Sequence, residues 1–359
     1  MTYNLSLLML SSRSLECFQQ SVSIALMFTI TITTMLACRD NPKLAPGVFK
    51  TIIWATFLQG LAVIVTALGV SLPSWVGIEP RTHSIAALIG VACATALGRC
   101  YRRRYYAVAG VLTVIIGAGL SRTSTAAALV VMYLGLAAGA SWKRLLAGIL
   151  FVAALYVLWI QFIFPLAVVR ARLSYGDQAL TVGDVTISSM GRRVLWAHLL
   201  EGAMDSPLWG HGIATSRAIG LQFSGGLGHP HNDYLRVFYE YGLFGLSIWL
   251  LSYLTILRRL IANWTKLERR GSPSAMFASG AALSVLGFMM VMITDNAMVY
   301  YFALAPLACV VGTGLAASSR RWNVAFLRSQ PARGVQRMLR RTALVKRGVL
   351  SAGATPVTR

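Results

Sequence analysis

The chain has 359 residues, of which 56% are hydrophobic and only 12% are charged. Because about a quarter of the residues in a soluble globular domain are charged, this composition excludes an ordinary soluble domain. The formal net charge of +22 would suit a nucleic-acid partner, but the basic residues collect in loops on one side of the predicted spans, so we expect no nucleic-acid binding.

Apolar runs of nearly membrane-spanning length recur along the chain. About 20 apolar residues cross a bilayer as a helix, and lipid offers no hydrogen bonds to an open backbone, so each run is predicted to be helical. The predicted spans are residues 21–38, 48–70, 83–98, 105–120, 124–140, 145–165, 237–257, 276–294 and 299–317. The predicted fold class is therefore an all-α polytopic membrane protein with about nine transmembrane helices and one large loop.

The segment before the first span matches neither a signal peptide nor a clean span, and the truncated end of a further helix is an alternative for it. The predicted domains are an N-terminal segment, six transmembrane helices, a loop domain, three transmembrane helices and a basic tail. They cover residues 1–20, 21–165, 166–236, 237–317 and 318–359, respectively.

The charges of the loops predict the orientation of the chain. Loops assigned alternately to the two sides hold 24 Lys and Arg on one side and 9 on the other. Since basic loops stay in the cytoplasm, we expect a bacterial inner-membrane protein with a cytoplasmic C-terminus and a periplasmic 166–236 loop. The basic tail from Arg320 to Arg359 is expected to lie on anionic lipid or to be disordered.

The large loop holds most of the polar chemistry, including four of the five histidines. Gly191–Met204 is predicted to be a short amphipathic helix that ends before Pro207. Its apolar residues Leu195, Leu199 and Met204 lie roughly on one side. The glycine-rich stretch Leu221–Gly228 is predicted to be a mobile loop.

His231 is followed by Asn232 and Asp233 at the start of a predicted helix. Asn or Asp can cap such a helix, and its N-terminus suits an anion such as phosphate. The same dipole keeps an imidazole neutral and able to accept a proton. These properties suit glycosyl transfer from a diphosphate donor, although a hydrogen-bonded structural histidine is the alternative from the residues alone.

The arginines on the predicted periplasmic side have two interpretations each. Arg122 lies in a predicted turn between two spans, where it either functions or reaches into the lipid headgroups. Arg192 and Arg193 begin a helix, which is unfavourable for cations. A bound anion would relieve that conflict, and a solvated helix face is the alternative.

Two acidic residues near the predicted spans also have alternative interpretations of their roles. Asp295, in a turn between two spans, is interpreted as a capping residue. Glu240 is predicted to pair with Arg236 one turn earlier rather than to act as a catalytic carboxylate. No Cys/His metal spacing and no P-loop occur in the sequence, so we expect neither a metal nor a cofactor.

Five short stretches together resemble the O-antigen ligase and polysaccharide polymerase family of bacterial inner membranes. They are Leu120–Thr123 (LSRT), Gly191–Trp196 (GRRVLW), Pro207–Gly212 (PLWGHG), His231–Leu235 (HNDYL) and Glu240–Gly245 (EYGLFG). No single stretch is specific, but their order and their placement relative to the spans are similar to those of the family. The resemblance covers residues 105–315.

The resemblance implies a metal-independent membrane glycosyltransferase with a fold of the GT-C type. The implied donor is a glycan on undecaprenyl diphosphate, and the implied acceptor is the lipid A core for a ligase or a growing glycan for a polymerase. The sequence does not separate these two activities. A polytopic transporter and a non-catalytic membrane scaffold remain as alternatives from other classes.

The resemblance also implies roles for particular residues. His231 is the candidate catalytic base, and Asn232 is expected to orient the loop or to contact sugar. The candidate diphosphate-binding residues are all arginines: Arg122, Arg192 and, from charge alone, Arg193 and Arg217. His211 and His229 bring two further imidazoles close to His231 in the sequence.

Overall fold

The computed structural model of the chain describes residues 14–67, 80–119, 121–137, 180–182, 185–187, 192–223, 229–318 and 320–329, together with the isolated positions 70, 146, 148 and 150. The helices are α1 (Ser14–Asp40), α2 (Leu44–Ala67), α3 (Pro80–Cys100), α4 (Arg104–Ala118), α5 (Arg122–Ala137), α6 (Arg192–Asp205), α7 (Ser216–Phe223), α8 (Asp233–Arg269), α9 (Ala275–Val291), α10 (Tyr301–Ala316) and α11 (Arg320–Ser329). A short antiparallel hairpin pairs β1 (Leu180–Val182) with β2 (Val185–Ile187).

The prediction of a helical membrane protein is confirmed, whereas the number of spans is not. Among the described residues, four helical segments are long and apolar enough to cross a membrane: Cys17–Asp40, Leu44–Thr66, Thr82–Cys100 and Asp233–Arg269. The apolar helices α4, α5, α9 and α10 coincide with predicted spans but have only 15–17 residues. The span predicted at 145–165 lies outside the described residues, apart from isolated positions.

Contacts divide the chain into two compact units. The first comprises Met1–Val22, Leu146–Leu251 and Met292–Asn296, and the second comprises Ser23–Leu145, Ser252–Val291 and Ala297–Arg359. Each unit is thus assembled from segments that are far apart in the chain.

In the second unit, α3 is the almost wholly buried central helix, packed by α2, α4, α5 and α9. Glycines allow this close packing: a Cβ on Gly90 would come within 2.3 Å of Thr56 Oγ1, and a Cβ on Gly135 within 2.4 Å of Thr95 Cγ2. Small residues at helix contacts are typical of membrane proteins, where close van der Waals packing replaces the hydrophobic effect between helices.

Part of the basic tail also packs on this second unit. In α11, Trp322 and Phe326 are buried, and their rings stack 5.2 Å apart while both meet the edge of Phe277. Trp322 Nε1 donates a hydrogen bond to the carbonyl of Cys38. The predicted alternative of a disordered tail is therefore wrong for residues 320–329, because two aromatic residues four positions apart give this segment a face to bury.

In the first unit, the predicted loop helix is present as α6, with one correction to its buried face. Leu195 and Leu199 are buried as predicted, but Met204 is 62% exposed and Ala203 takes its place. Positions 195, 199 and 203 are four residues apart and follow one side of the helix, whereas position 204 is rotated away from that side.

The first residues of the predicted glycine-rich loop are helical. Residues 221–223 continue α7, which begins at Ser216. The remaining residues 224–228 lie outside the described residues.

Candidate functional site

Three segments of the first unit meet around His231. Trp196 on α6 donates from Nε1 to the carbonyl of Pro230 at 2.6 Å. Arg192 at the start of α6 donates from Nη1 to the carbonyl of Thr294 at 3.2 Å. The backbone N–H of Asp233 donates to Met292 at 2.9 Å. The His231 loop is therefore tied to α6 and to the 292–296 turn by bonds that local sequence does not predict.

The His231 side chain is aimed at that turn. Its ring is 12% exposed, and Nδ1 lies 3.4 Å from Oδ1 of Asp295. The same nitrogen lies 3.1 Å from the side-chain amide nitrogen of Asn296. The backbone of His231 is left-handed, with φ +50°, a conformation that is uncommon for residues other than glycine and is often found at functional sites.

These contacts favour one tautomer of His231. A neutral imidazole carries its proton on one nitrogen only, and a carboxylate facing Nδ1 favours the proton there. Rotating the Asn296 amide by half a turn would bring Oδ1, which is buried without a hydrogen-bond partner, toward the same N–H. Asp295 and Asn296 would then both accept from Nδ1, and Nε2 would be left to accept a proton.

Asn232 caps the helix that follows. Its Oδ1 accepts a hydrogen bond from the backbone N–H of Leu235 at 3.0 Å, the geometry of an N-cap residue. Helix α8 begins at Asp233, as predicted. The positive end of the helix dipole therefore lies directly beside His231.

Behind this cap lies a buried charged cluster. Arg236 forms its direct ion pair with Asp233 at 3.3 Å, and its charge also acts on Glu240, the predicted partner. Glu240 accepts a hydrogen bond from Ser216 Oγ at 2.5 Å and receives the backbone N–H groups of Ala214 and Ser216. Its carboxyl thus holds the start of α7, since an acidic group suits a helix N-terminus.

Two of the recognised motif stretches form one backbone junction. Helix α8 is broken at Gly242, whose φ is +66°. The backbone of α8 on both sides of this break forms hydrogen bonds with the Pro207–Gly212 turn. The backbone N–H of Leu243 donates to the carbonyl of Pro207 at 2.7 Å. A Cβ on Gly242 would approach the carbonyl oxygen of Leu208 to 2.2 Å. Glycine is required here both by the positive φ and by the close backbone contact.

The other histidines of the first unit have different environments. His211 Nε2 lies 2.7 Å from the carbonyl of Gly202, and its ring stacks on Tyr239 with centroids 4.6 Å apart. His198 is half-buried and lies 3.8 Å from the Glu201 carboxylate. Both have local structural contacts, and neither shares the carboxylate of Asp295.

His229 is half-buried just before the His231 loop. Burial is the largest cause that lowers its pKa from 6.5 to about 4, and electrostatic interactions with Arg236, Arg217 and His231 contribute to the same shift. His229 is therefore neutral at physiological pH. The two arginines that contribute to this shift, Arg236 and Arg217, are the cations closest in effect to His229.

The predicted arginines are distributed over both units. Arg192 is half-buried and contacts the residue next to Asp295, which brings it to the His231 site. Arg217 lies on α7 close enough to influence His229, and Arg193 is exposed on α6. Arg122 begins α5 in the second unit and is exposed there.

Sequence reasoning missed the partnership of His231 with Asp295 and Asn296. Sixty-four positions separate His231 from Asp295, so no periodicity connects them. The available signal was the polar turn Thr294–Asn296 between two apolar runs. The alternation of the predicted spans places this turn on the same side of the membrane as the large loop. Asp295 does accept the N–H of Asn296 at 2.8 Å, so a local turn contact accompanies its contact with the histidine.

Helices that can cross a membrane, together with a buried histidine–carboxylate pair beside an arginine and a helix N-terminus, define an integral membrane protein with a polar site suited to acid–base chemistry. A family model described as O-antigen ligase matches residues 106–250. This part of the chain, which contains Arg122, Arg192 and His231, is therefore similar to the O-antigen ligase family. No curated protein matches the chain.

Proposed function

We propose that the protein transfers a glycan from an undecaprenyl-diphosphate donor to an acceptor hydroxyl at the periplasmic face of the inner membrane. The acceptor is the lipid A core if the protein is a ligase, or a growing lipid-linked glycan if it is a polymerase. The observation that carries this proposal is the contact between His231 Nδ1 and Asp295 at 3.4 Å, in which the histidine belongs to the region that the O-antigen ligase family model matches.

In the proposed reaction His231 is the base. Its Nε2 takes the proton of the acceptor hydroxyl while that oxygen attacks the anomeric carbon of the donor sugar. The bond between the anomeric carbon and the diphosphate oxygen breaks, and the electron pair leaves with the undecaprenyl diphosphate. Asp295 is a positioning residue, since a carboxylate on Nδ1 orients the ring and stabilises the imidazolium that forms.

The departing diphosphate needs positive partners. Arg192 supports this role because its guanidinium lies at the His231 site and can form charge-assisted hydrogen bonds to phosphate oxygens. Arg217 adds positive potential beside His229. Arg122 and Arg193 are proposed as further diphosphate contacts from the family resemblance and from charge, and Asn232 as the residue that orients the His231 loop through its cap.

The membrane setting also supports a lipid-linked donor. An undecaprenyl chain holds its diphosphate at the membrane surface, and α8 joins the His231 site directly to a membrane-spanning segment. A donor that is already activated as a diphosphate ester requires no nucleotide at a periplasmic site.

Replacement of the base tests the proposal. His231→Ala should abolish surface glycan assembly in a deletion strain while the protein still reaches the membrane, because a general base contributes roughly 100-fold to 10,000-fold in rate. His198→Ala, which removes a histidine of α6 that does not contact Asp295, is the matched control and should leave the glycan unchanged. Near-normal glycan with His231→Ala would remove His231 as the base.

The same strain separates the two acceptors. In the deletion strain, polymer that accumulates on the lipid carrier indicates a ligase, and single repeat units indicate a polymerase. If the glycan of the deletion strain equals that of the wild type, the proposed transfer is wrong.

A further inference from the structure

The transfer reaction does not use a cluster of exposed apolar side chains in the first unit. Leu208 and Trp209, in the turn after α6, are 58% and 61% exposed, and Leu243 and Phe244 on α8 are 51% and 49% exposed. These four residues are here called the apolar rim. Large apolar groups that are exposed together mark a surface that contacts another phase or partner.

The apolar rim is held rigidly rather than presented by a loose loop. The backbone N–H groups of Leu243 and Phe244 donate to the carbonyls of Pro207 and Leu208 at 2.7 and 3.2 Å. The rings of Trp209 and Phe244 lie 5.7 Å apart. Since Gly242 leaves no room for a side chain between the two backbones, the turn and the helix move as one body.

The apolar rim continues into the exposed apolar face of a membrane-spanning helix. Phe244, Ile248 and Leu251 are exposed and follow one face of α8 at the spacing of a helix. The segment Leu243–Leu257 contains no charged residue, whereas Glu240 precedes it and Arg258 follows it. The apolar rim therefore lies where the apolar part of α8 begins.

That position suits the boundary between lipid headgroups and acyl chains. Tryptophan is enriched at this boundary, because its large apolar ring also carries a polar N–H group. The opposite side of the same turn faces protein, since His211 contacts the carbonyl of Gly202. The turn thus has a protein-facing polar side and an apolar side that is continuous with the span.

We propose that the apolar rim of Leu208, Trp209, Leu243 and Phe244 docks into the bilayer surface at the end of α8 that carries the His231 site. Its partner is the lipid bilayer itself. The docking anchors the turn after α6 in the membrane boundary and holds the first unit against the lipid surface. It does not require the transfer reaction to be as proposed.

Tryptophan fluorescence of the full chain reconstituted in phosphatidylcholine vesicles tests the docking. The signal of Trp209 is the difference between the wild type and Trp209→Phe. We expect this difference signal to be lost when the lipids carry a nitroxide near the headgroup, and to be affected less by a nitroxide at the end of the acyl chain or by aqueous iodide. Trp54 lies near the middle of α2 and is also exposed, so the Trp54→Phe difference is the control and should respond most to the deep nitroxide.

Two results would overturn the docking. Quenching of the Trp209 signal by iodide but not by either lipid would place the apolar rim in water. Resistance to all three quenchers would mean that protein, such as a second copy of the chain, covers it. If Trp209→Phe does not accumulate, Leu208→Cys carrying a polarity-sensitive fluorophore gives the same readout, with a blue-shifted emission expected in vesicles.

Discussion

His231 combines an uncommon backbone conformation with a specific side-chain partner. Its left-handed φ of +50° turns the chain between Pro230 and the Asn232 cap, and the ring then meets Asp295. Residues held in sparsely populated conformations cost of order 1–3 kcal/mol each. The bonds from Trp196 to Pro230 and from Asp233 to Met292 fix both sides of the turn and offset that cost.

The positioning role of Asp295 predicts a specific kinetic change. Asp295→Asn keeps the shape of the side chain but removes the charge that holds the proton on Nδ1, so we expect kcat to fall roughly 100-fold with little change in KM for the donor. Asp205→Asn, at the exposed end of α6, is the control. An Asp295→Asn enzyme whose KM rises while kcat is retained would contradict a positioning role.

The lowered pKa of His229 predicts how stability depends on pH. The unfolded chain protonates this histidine near pH 6.5, whereas burial and nearby cations delay protonation in the folded chain to about pH 4. Between these values the unfolded state binds more protons, so the free energy of unfolding falls as the pH falls. His229→Asn should show a smaller drop in melting temperature from pH 6.5 to pH 4 in detergent. An equal drop in both proteins would be inconsistent with a buried neutral His229.

At the scale of elements, the kink in α8 gives the family-like stretches a structural meaning. The segment Pro207–Gly212 and the segment Glu240–Gly245 read as separate motifs along the chain, but their backbones bond directly to each other. His211 and Gly212 donate to the carbonyls of Tyr239 and Glu240, each at 3.0 Å. These carbonyls are released from regular helix bonding by the break at Gly242, so the junction satisfies backbone groups that a kink would otherwise leave open.

This junction predicts that Gly242 is intolerant of a side chain. In Gly242→Ala the combination of positive φ and extended ψ, which is essentially restricted to glycine, costs of order 1–3 kcal/mol, and the Cβ collides with the backbone of Leu208. We expect a lower melting temperature in detergent and less protein in the membrane. Gly110→Ala, in the interior of α4 with nothing within 4 Å of the added Cβ, should instead be neutral or stabilising by about 0.5–1 kcal/mol. Equal behaviour of the two variants would argue against the junction.

At the scale of the whole molecule, the chain order and the spatial order differ. The first unit combines Met1–Val22, Leu146–Leu251 and the short turn Met292–Asn296, while the segments between and after them belong to the second unit. The long helices α1 and α8 each pass from one unit to the other. The turn that contributes Asp295 to the His231 site, Met292–Asn296, thus lies in the chain between α9 and α10, two helices of the second unit.

The predicted orientation of the molecule can be tested by cysteine labelling. Arg193 on α6 and Arg328 on α11 are both exposed, and the natural cysteines are buried or half-buried, which keeps the background low. Arg193→Cys should react with a membrane-impermeant maleimide in intact spheroplasts, whereas Arg328→Cys should react only after lysis. The opposite pattern would put the His231 site in the cytoplasm and end the proposal of a periplasmic transferase.

The sequence by itself determined the helical membrane class, most helix positions and the start of α8 at Asp233. These features follow from local causes: apolar run length, the spacing of Leu195 and Leu199 in α6, and a capping side chain at Asn232. Such signals act within a few residues, so they can be read from the sequence of a single chain.

Only the tertiary structure decided the partners in the site. Asp295 contacts His231, Arg236 forms its direct ion pair with Asp233, and Glu240 accepts a hydrogen bond from Ser216 on α7. Each choice depends on which distant backbone segment packs nearby, and burial makes a polar group take whatever partner that packing provides. Local periodicity has no information on that packing, because it comes from contacts between segments that are dozens of residues apart.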